Sequence, residues 1–316
     1  SSPGGAKLET ALQALDLLVS FDIYVNETNR HAHYILPGTT FLERADIPWF
    51  SMNFMTRPFL QYTDPVIAPV DEARPEFDSF AAILKRMGLR MPPANRLVGW
   101  LQRIGVTVRP LMLLDWALRL GPAGDRFGLR KGWSFRRLRD HRHGVMAQVP
   151  ESRVNWRERI AWPDRKIRVW HNAITGEFDR LRREGEPAAS FRLFGMREIR
   201  SLNSWMHNIP RLVRSQKPAL LVHPEDAAEL GLGDGDEAIV SSAAGRLRVP
   251  VRLSDDVIRG SLCYPHGWGH GGGGWRTANE QPGGNYNSLL PADLSGVEFV
   301  SGTSLMDGIH VVLQRA

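Results

Sequence analysis

A cysteine and two histidines stand beside two tryptophans and a run of glycines in CYPHGWGHGGGGW, Cys263 to Trp275. Thiolate and imidazole nitrogen are zinc ligands, so Cys263, His266 and His270 form a possible metal-binding set. Against it, the glycines leave the three side chains loosely held, and no fourth ligand stands nearby. Glycine has a second use, because without a Cβ the backbone can approach a flat or phosphorylated ligand closely. The stretch therefore reads as a metal site, a backbone cover over a bound cofactor, or a surface loop. Ordering four consecutive glycines costs roughly 0.5–1 kcal/mol each relative to alanine, which favours a bound group that offsets it.

Other polar residues could serve such a group. In REIRSLNSWMHN, Arg197, Arg200, Asn203, Ser204 and His207 could face phosphate, ribose and a heterocycle, since the arginine fork matches phosphate oxygens. The alternative is an amphipathic connector in which Trp205 and Met206 fill core space. In GGNYN, Asn285 and Asn287 offer paired donors and acceptors. Asp22, Asn26, Glu27 and Thr28 follow a short apolar run, at the strand end where open α/β sheets bind ligands. Glu43 reads as a helix-end or salt-bridge acid. No acid, base or nucleophile constellation is convincing, so no catalytic residue is assigned.

The elements that must position these residues fall into three parts. Leu8, Leu12, Leu15 and Val19 share a face at helical spacing over residues 7–19. LLVSFDIYVNE and HYILP then read as two strands of a buried parallel sheet. PEFDSFAAILKRMGL, 75–89, carries helix start and stop chemistry, and further helices are predicted over 95–104 and 110–120. From Phe191 onward FRLFG, ALLVHP, EAIVSS, GRLRVPVRLS, SLCYP and IHVVLQ are short strands separated by turn residues, the pattern of a small closed barrel. Between two of them HPEDAAELG encodes a short helix opened by Pro224 and stopped by Gly231.

Composition bounds the rest. The 316 residues, 42% hydrophobic and 23% charged, suit a globular chain of more than one domain. One cysteine excludes an intrachain disulfide or an iron–sulfur cluster built from this chain alone, and fits a reducing compartment. No apolar run approaches the ~18 residues of a membrane span, so a soluble, cytoplasmic protein is expected. The net charge of +6 is concentrated in Arg126–Gly144 and in DRLRREGE, 179–186. These segments read as a solvated face or an anion-facing surface, and no aromatic-plus-basic nucleic-acid module accompanies them. The first residues lack a methionine and enter a helical pattern at once, as at a processed end or inside a longer polypeptide.

Three segments carry a family resemblance. LLVHPEDAAELGLGDGDEAIVSSAAGRLRVPVRLSDDVIRGSLCYPHGWGH with GGNYNSLL resembles the dinucleotide-binding domain of molybdopterin oxidoreductases, the dimethyl sulfoxide reductase and formate dehydrogenase group. DIYVNETNRHAHYILPGTTFLER and FRLFGMREIRSLNSWMHNIPRLV resemble the same family's sheet segment and its cofactor-contacting segment. Two departures stand out: Met196 where many relatives have arginine, and His33 where the family has an acid.

The resemblance implies a partial α/β domain over 1–90, a helical and basic connector over 91–185, and a six-stranded double-psi-like β-barrel over 186–316. It implies molybdopterin guanine dinucleotide carrying molybdenum or tungsten, held by Asp22, Thr28, Arg197, Arg200, Asn203, Ser204, His207, His266, Trp268, Asn285 and Asn287. The metal's protein ligand and any iron–sulfur cluster would lie in an N-terminal half absent from this sequence, with a separate electron-transfer partner. The chain is then the C-terminal, cofactor-binding part of an enzyme of two-electron redox chemistry, inactive alone. A stand-alone barrel module, or a basic protein that binds nucleic acid or another partner, remains the alternative.

Overall fold

The computed structural model describes residues 5–52, 55, 59–89, 96–147, 157, 160–183, 191–281 and 283–316. The strands among them are β1 (Val19–Phe21), β2 (Tyr34–Leu36), β3 (Phe59–Leu60), β4 (Val145–Met146), β5 (Phe191–Met196), β6 (Leu220–Val222), β7 (Glu237–Ser241), β8 (Arg246–Leu253), β9 (Ser261–Pro265) and β10 (Ile309–Arg315). The chain divides into two compact units, one of residues 1–20, 24–35 and 168–316, the other of 21–23 and 36–167.

In the first unit six strands close a barrel in the order β10-β5-β9-β6-β8-β7. β5 runs parallel to β9 and β6 to β8, while the remaining pairs are antiparallel. Period-two alternation drives the closure, because every second side chain of a strand points inward. Val249 and Val251 of β8, Ala238 and Val240 of β7, Leu262 and Tyr264 of β9, and Val311 and Leu313 of β10 are buried together with Leu193, Leu220 and Val222. All six barrel strands fall on the apolar runs expected from the sequence.

The Pro224–Glu229 helix links β6 to β7 as expected. His223 caps it by accepting from the Glu225 N–H at 3.2 Å, Glu225 and Asp226 occupy the positive first turn, and Gly231 ends it at φ +65°. Arg259 ties this helix to the turn before β9. Its guanidinium pairs with Asp226 at 3.1 Å, with Glu225 at 3.2 Å and with Glu229, and Asp226 also accepts from the Gly260 N–H at 2.7 Å.

The N-terminal helix is shorter than its periodicity predicts. It covers Gly5–Gln13, and Val19 belongs to β1. The cause is pairing: the Leu18 carbonyl already accepts from His33 N–H at 2.8 Å, so these backbone groups serve a sheet and not a helix. β1 and β2 form a two-stranded sheet whose hydrogen bonds advance in the same direction along both strands, hence parallel. It is not buried, since Tyr34 is 63% and Val19 38% exposed.

The second unit packs Ile47, Leu60, Tyr62, Phe135, Leu138 and Ala147 into a core around the antiparallel β3–β4 pair. Helices cover Glu76–Arg86, Arg96–Arg103 and Pro110–Leu120, and Asn95, the predicted start of the middle one, lies outside the described residues. Glu43 is neither a helix end nor an ion-pair acid. It is buried and accepts from the N–H groups of Thr40 at 2.7 Å and Val70 at 2.8 Å, which hold its carboxyl below the usual range.

Much of the basic run is engaged internally. Arg130 donates to the carbonyls of Gly124 and Gly121, Arg137 to that of Gly132, and Arg139 pairs with Asp64. The buried Asp125, upstream of the run, takes Arg119 in a two-point pair at 2.8 and 3.2 Å, and that pairing holds its carboxyl below the usual range.

Candidate functional site

The glycine-rich stretch is a docked loop of the first unit. It leaves β9 and lies against the turn at residues 25–30: Val25 carbonyl accepts from Gly274 N–H at 2.6 Å, Arg30 Nη1 donates to the Gly271 carbonyl at 3.1 Å, and Glu27 Oε1 accepts from Gly271 N–H at 3.3 Å. That turn is prefolded by its own asparagines. Asn26 Oδ1 accepts from the N–H groups of Thr28 and Asn29, and the buried Asn29 Nδ2 donates to the Tyr24 carbonyl. Arg30 is held in turn by Glu9.

Two glycines in the stretch answer to close approach. Gly267 and Gly269 have φ of +91° and +92°, and a Cβ at either would overlap backbone of Asn203 or Asn285. Asn203 and Leu202 themselves hold left-handed φ of +61° and +43°. Asn203 is suited to that conformation, and its Oδ1 gathers two neighbours: Arg197 Nη1 donates to it at 3.0 Å, and His266 Nε2 lies 3.1 Å away.

Beneath the loop lies an aromatic and imidazole stack. His207 is fully buried, its ring 3.9 Å from that of the buried Trp268. Trp268 Nε1 donates to Glu198 Oε2 at 2.9 Å. His207 Nδ1 lies 2.8 Å from His270 Nε2, and His270 Nδ1 lies 3.1 Å from Glu27 Oε1. His270 stacks in turn on Trp275, which Tyr24 also contacts. Burial first, then the neighbouring His270, push the His207 imidazole down to about 4, against a smaller upward pull from the Gly267 backbone.

The predicted residues thus separate. Arg197, Asn203 and His266 meet in one hydrogen-bonded group, and His207 and Trp268 meet in another. Ser204 contributes its carbonyl to His207 N–H. Arg200 is exposed, with one long bond of 3.4 Å to Ser215 Oγ. Asn285 is exposed and its Oδ1 accepts from Asn287 N–H at 3.0 Å, capping the 3-10 turn Tyr286–Leu289. Thr28 is exposed beside the same turn that carries Glu27, and Asp22 lies in the 21–23 stretch that clusters with the second unit. Trp205, the connector's expected core filler, is 72% exposed.

The suggested metal set is dispersed. His266 turns to Asn203 and the Met196 carbonyl, His270 to His207 and Glu27, and Cys263 sits in β9 opposite Phe194 and Leu221, where burial raises its thiol pKa. Among the described residues no group of three His, Cys, Asp or Glu is placed to hold a metal ion. Sequence reading named Glu27 only as a strand-end acid and missed Glu198 and Arg30, because their partners lie 243, 70 and 241 positions away.

The donor set fits a dinucleotide with a flat heterocycle. Three buried polar atoms of this neighbourhood lack a hydrogen-bond partner among the described residues: His207 Nε2, Trp275 Nε1 and Asn279 Oδ1. A buried indole N–H and amide oxygen without partners carry desolvation costs that a polar ligand edge or ordered water relieves.

The chain resembles known proteins in sequence and fold. Residues 2–86 match the molybdopterin oxidoreductase family and residues 191–300 the molydopterin dinucleotide binding domain. Acetylene hydratase of Syntrophotalea acetylenica is 27% identical over 84% of this chain and 35% of its own length. Dimethyl sulfoxide/trimethylamine N-oxide reductase of Rhodobacter capsulatus is 24% identical over 83% of this chain and 33% of its own length. The thiosulfate reductase molybdopterin-containing subunit PhsA of Salmonella typhimurium is 26% identical over 98% and 41%. The solved acetylene hydratase from Pelobacter acetylenicus shares the fold at a TM-score of 0.64 and 22% identity, covering 96% of this chain and 41% of that one. The chain therefore spans between 33% and 41% of the length of these curated relatives.

Proposed function

We propose, because residues 2–86 and 191–300 of this chain are molybdopterin oxidoreductase segments, that it is the C-terminal, cofactor-binding part of a molybdenum or tungsten bis-pterin-guanine-dinucleotide enzyme. The single observation that carries the reading is the docked glycine loop with buried, unpartnered polar atoms beneath and beside it, in a segment that matches a dinucleotide binding domain. Relatives named as reductases and as a hydratase both align over most of this chain, which suits a region that holds the cofactor and leaves the choice of substrate to the rest of the enzyme.

The bound group would supply the metal-centred chemistry, two-electron redox. The chain's own residues bind and orient. Arg197 and Arg200 bring guanidinium forks to phosphate oxygens. Asn203, His266, Asn285 and Asn287 offer hydrogen bonds to heterocycle edges, with Thr28 and Ser204 as further polar contacts. Trp268 and His207 stack beneath the loop and exclude water from it. The chain alone is inactive, iron–sulfur clusters and the metal's protein ligand belong to an N-terminal region, and an electron-transfer protein is the partner. Among the described residues no helix is long and apolar enough to cross a membrane, and the single cysteine fits a cytoplasmic setting.

The test is thermal stability and binding of this chain with pterin–guanine dinucleotide. A ligand at ~100 times its Kd stabilises by about 2.7 kcal/mol. Arg200→Ala and Asn287→Ala should each reduce that gain, and absence of any stabilisation of the unsubstituted chain would exclude the reading.

A further inference from the structure

His207 has no exposed surface, and its Nε2 has no hydrogen-bond partner among the described residues. Its other nitrogen faces His270, which faces Glu27, at 2.8 and 3.1 Å. A carboxylate only accepts, so the proton on His270 Nδ1 points at Glu27. A neutral His270 then has a lone pair on Nε2, the shared proton sits on His207 Nδ1, and His207 Nε2 is an acceptor. A protonated His270 donates from Nε2, so a neutral His207 carries its proton on Nε2 and becomes a donor. One proton on His270 therefore inverts the polarity of an atom on the next ring.

We propose that Glu27, His270 and His207 form a proton relay that sets whether His207 offers a lone pair or an N–H to a bound nitrogen heterocycle, and that lodges a proton taken from that heterocycle beside Glu27. The step balances without electron transfer. A ligand N–H breaks as its proton bonds to His207 Nε2, the proton on His207 Nδ1 passes to His270 Nε2, and the positive charge ends on His270 against the Glu27 carboxylate. His207 is neutral before and after, in keeping with its burial. The ligand class is a heterocycle that gains or loses ring N–H groups with its oxidation state. The identity of that ligand rests on the function proposed above, whereas the relay rests on geometry alone.

The surroundings suit a relay. Trp268 covers one face of His207, and Trp275 stacks on His270. The charged groups nearby are Glu27 at His270, Glu198 at the Trp268 N–H, and Arg30 at the Gly271 carbonyl. Glu27 also accepts from Gly271 N–H, so the glycine loop and the relay share an anchor. Glu27 and His270 act as positioning residues.

The test is ¹⁵N NMR of the histidine ring nitrogens in the full chain, without added ligand, as a function of pH. At neutral pH His207 should carry its proton on Nδ1, the tautomer that free imidazole side chains populate less. On acidification, above its own pKa of about 4, His207 should switch to the Nε2–H form without becoming charged. Glu27→Ala should release the tautomer, leaving most His207 protonated at Nε2. Glu27→Gln keeps an acceptor oxygen and should restore the Nδ1–H form of His207 at neutral pH. An Nε2–H tautomer of wild-type His207 at neutral pH, or an unchanged tautomer in Glu27→Ala, would overturn the relay. If the alanine variant does not fold, the wild-type titration and the glutamine variant decide. Because no dinucleotide is added, failure of the relay and failure of the cofactor reading are separate results.

Discussion

His207 and His270 stand edge to face, ring planes at 86° and facing nitrogens 2.8 Å apart, although 63 positions separate them in the chain. The contact joins the connector after β5 to the loop after β9, two segments that emerge from neighbouring parallel strands of the barrel. Strand adjacency is thus what brings the two imidazoles together.

This pair should make stability depend on pH. The His207 pKa is lowered from 6.5 to about 4, so between those values the unfolded chain binds more protons than the folded one. Its contribution is complete above 6.5 and is lost as pH falls toward 4. The full difference is on the order of 3 kcal/mol. Denaturant midpoints measured across this window should fall with acidification in the wild type. His207→Phe should flatten that slope, and an equal slope in the variant would refute the assignment.

The glycines should differ sharply in tolerance. Gly267→Ala and Gly269→Ala force a Cβ into backbone at positive φ, and each should cost at least ~1–3 kcal/mol and disorder the loop. Gly271→Ala meets nothing within 4 Å and should be nearly neutral. Thermal melts of the three variants compare them directly, and equal losses at all three would show that the loop is not docked as described.

Glu198→Ala should destabilise by about 1–3 kcal/mol, because it strips the buried Trp268 N–H of its acceptor. Glu198→Gln retains an amide oxygen and should recover most of the loss. Chemical denaturation, with tryptophan fluorescence as the local readout, distinguishes the two.

Arg259→Ala should loosen the Pro224–Glu229 helix from the barrel. It leaves the nearly buried Asp226 with the Gly260 N–H while Glu225 and Glu229 lose their shared cation. A cost of about 1–3 kcal/mol is expected, dominated by Asp226, since exposed pairs contribute little. Hydrogen exchange should accelerate in residues 224–232 before the rest of the barrel, and uniform acceleration would contradict a local role.

The sequence by itself determined the barrel. Alternating apolar residues, Pro224 at a helix start and Gly231 at its end act through neighbours a few residues apart, so all six strands and the intervening helix are legible locally. It also marked the glycine stretch, the asparagines and the arginines as residues suited to a ligand. Periodicity misjudged residues 14–19, where a sheet partner at His33–Leu36 claims the backbone that helical spacing alone would extend through. Only the tertiary structure decided which polar groups meet. Glu27, His207 and His270 come from a turn, a connector and a glycine loop, and nothing in their spacing encodes a chain of hydrogen bonds. That chain exists because barrel closure sets β5 beside β9 and because the 25–30 turn holds the glycine run in place, both consequences of contacts between residues distant in sequence.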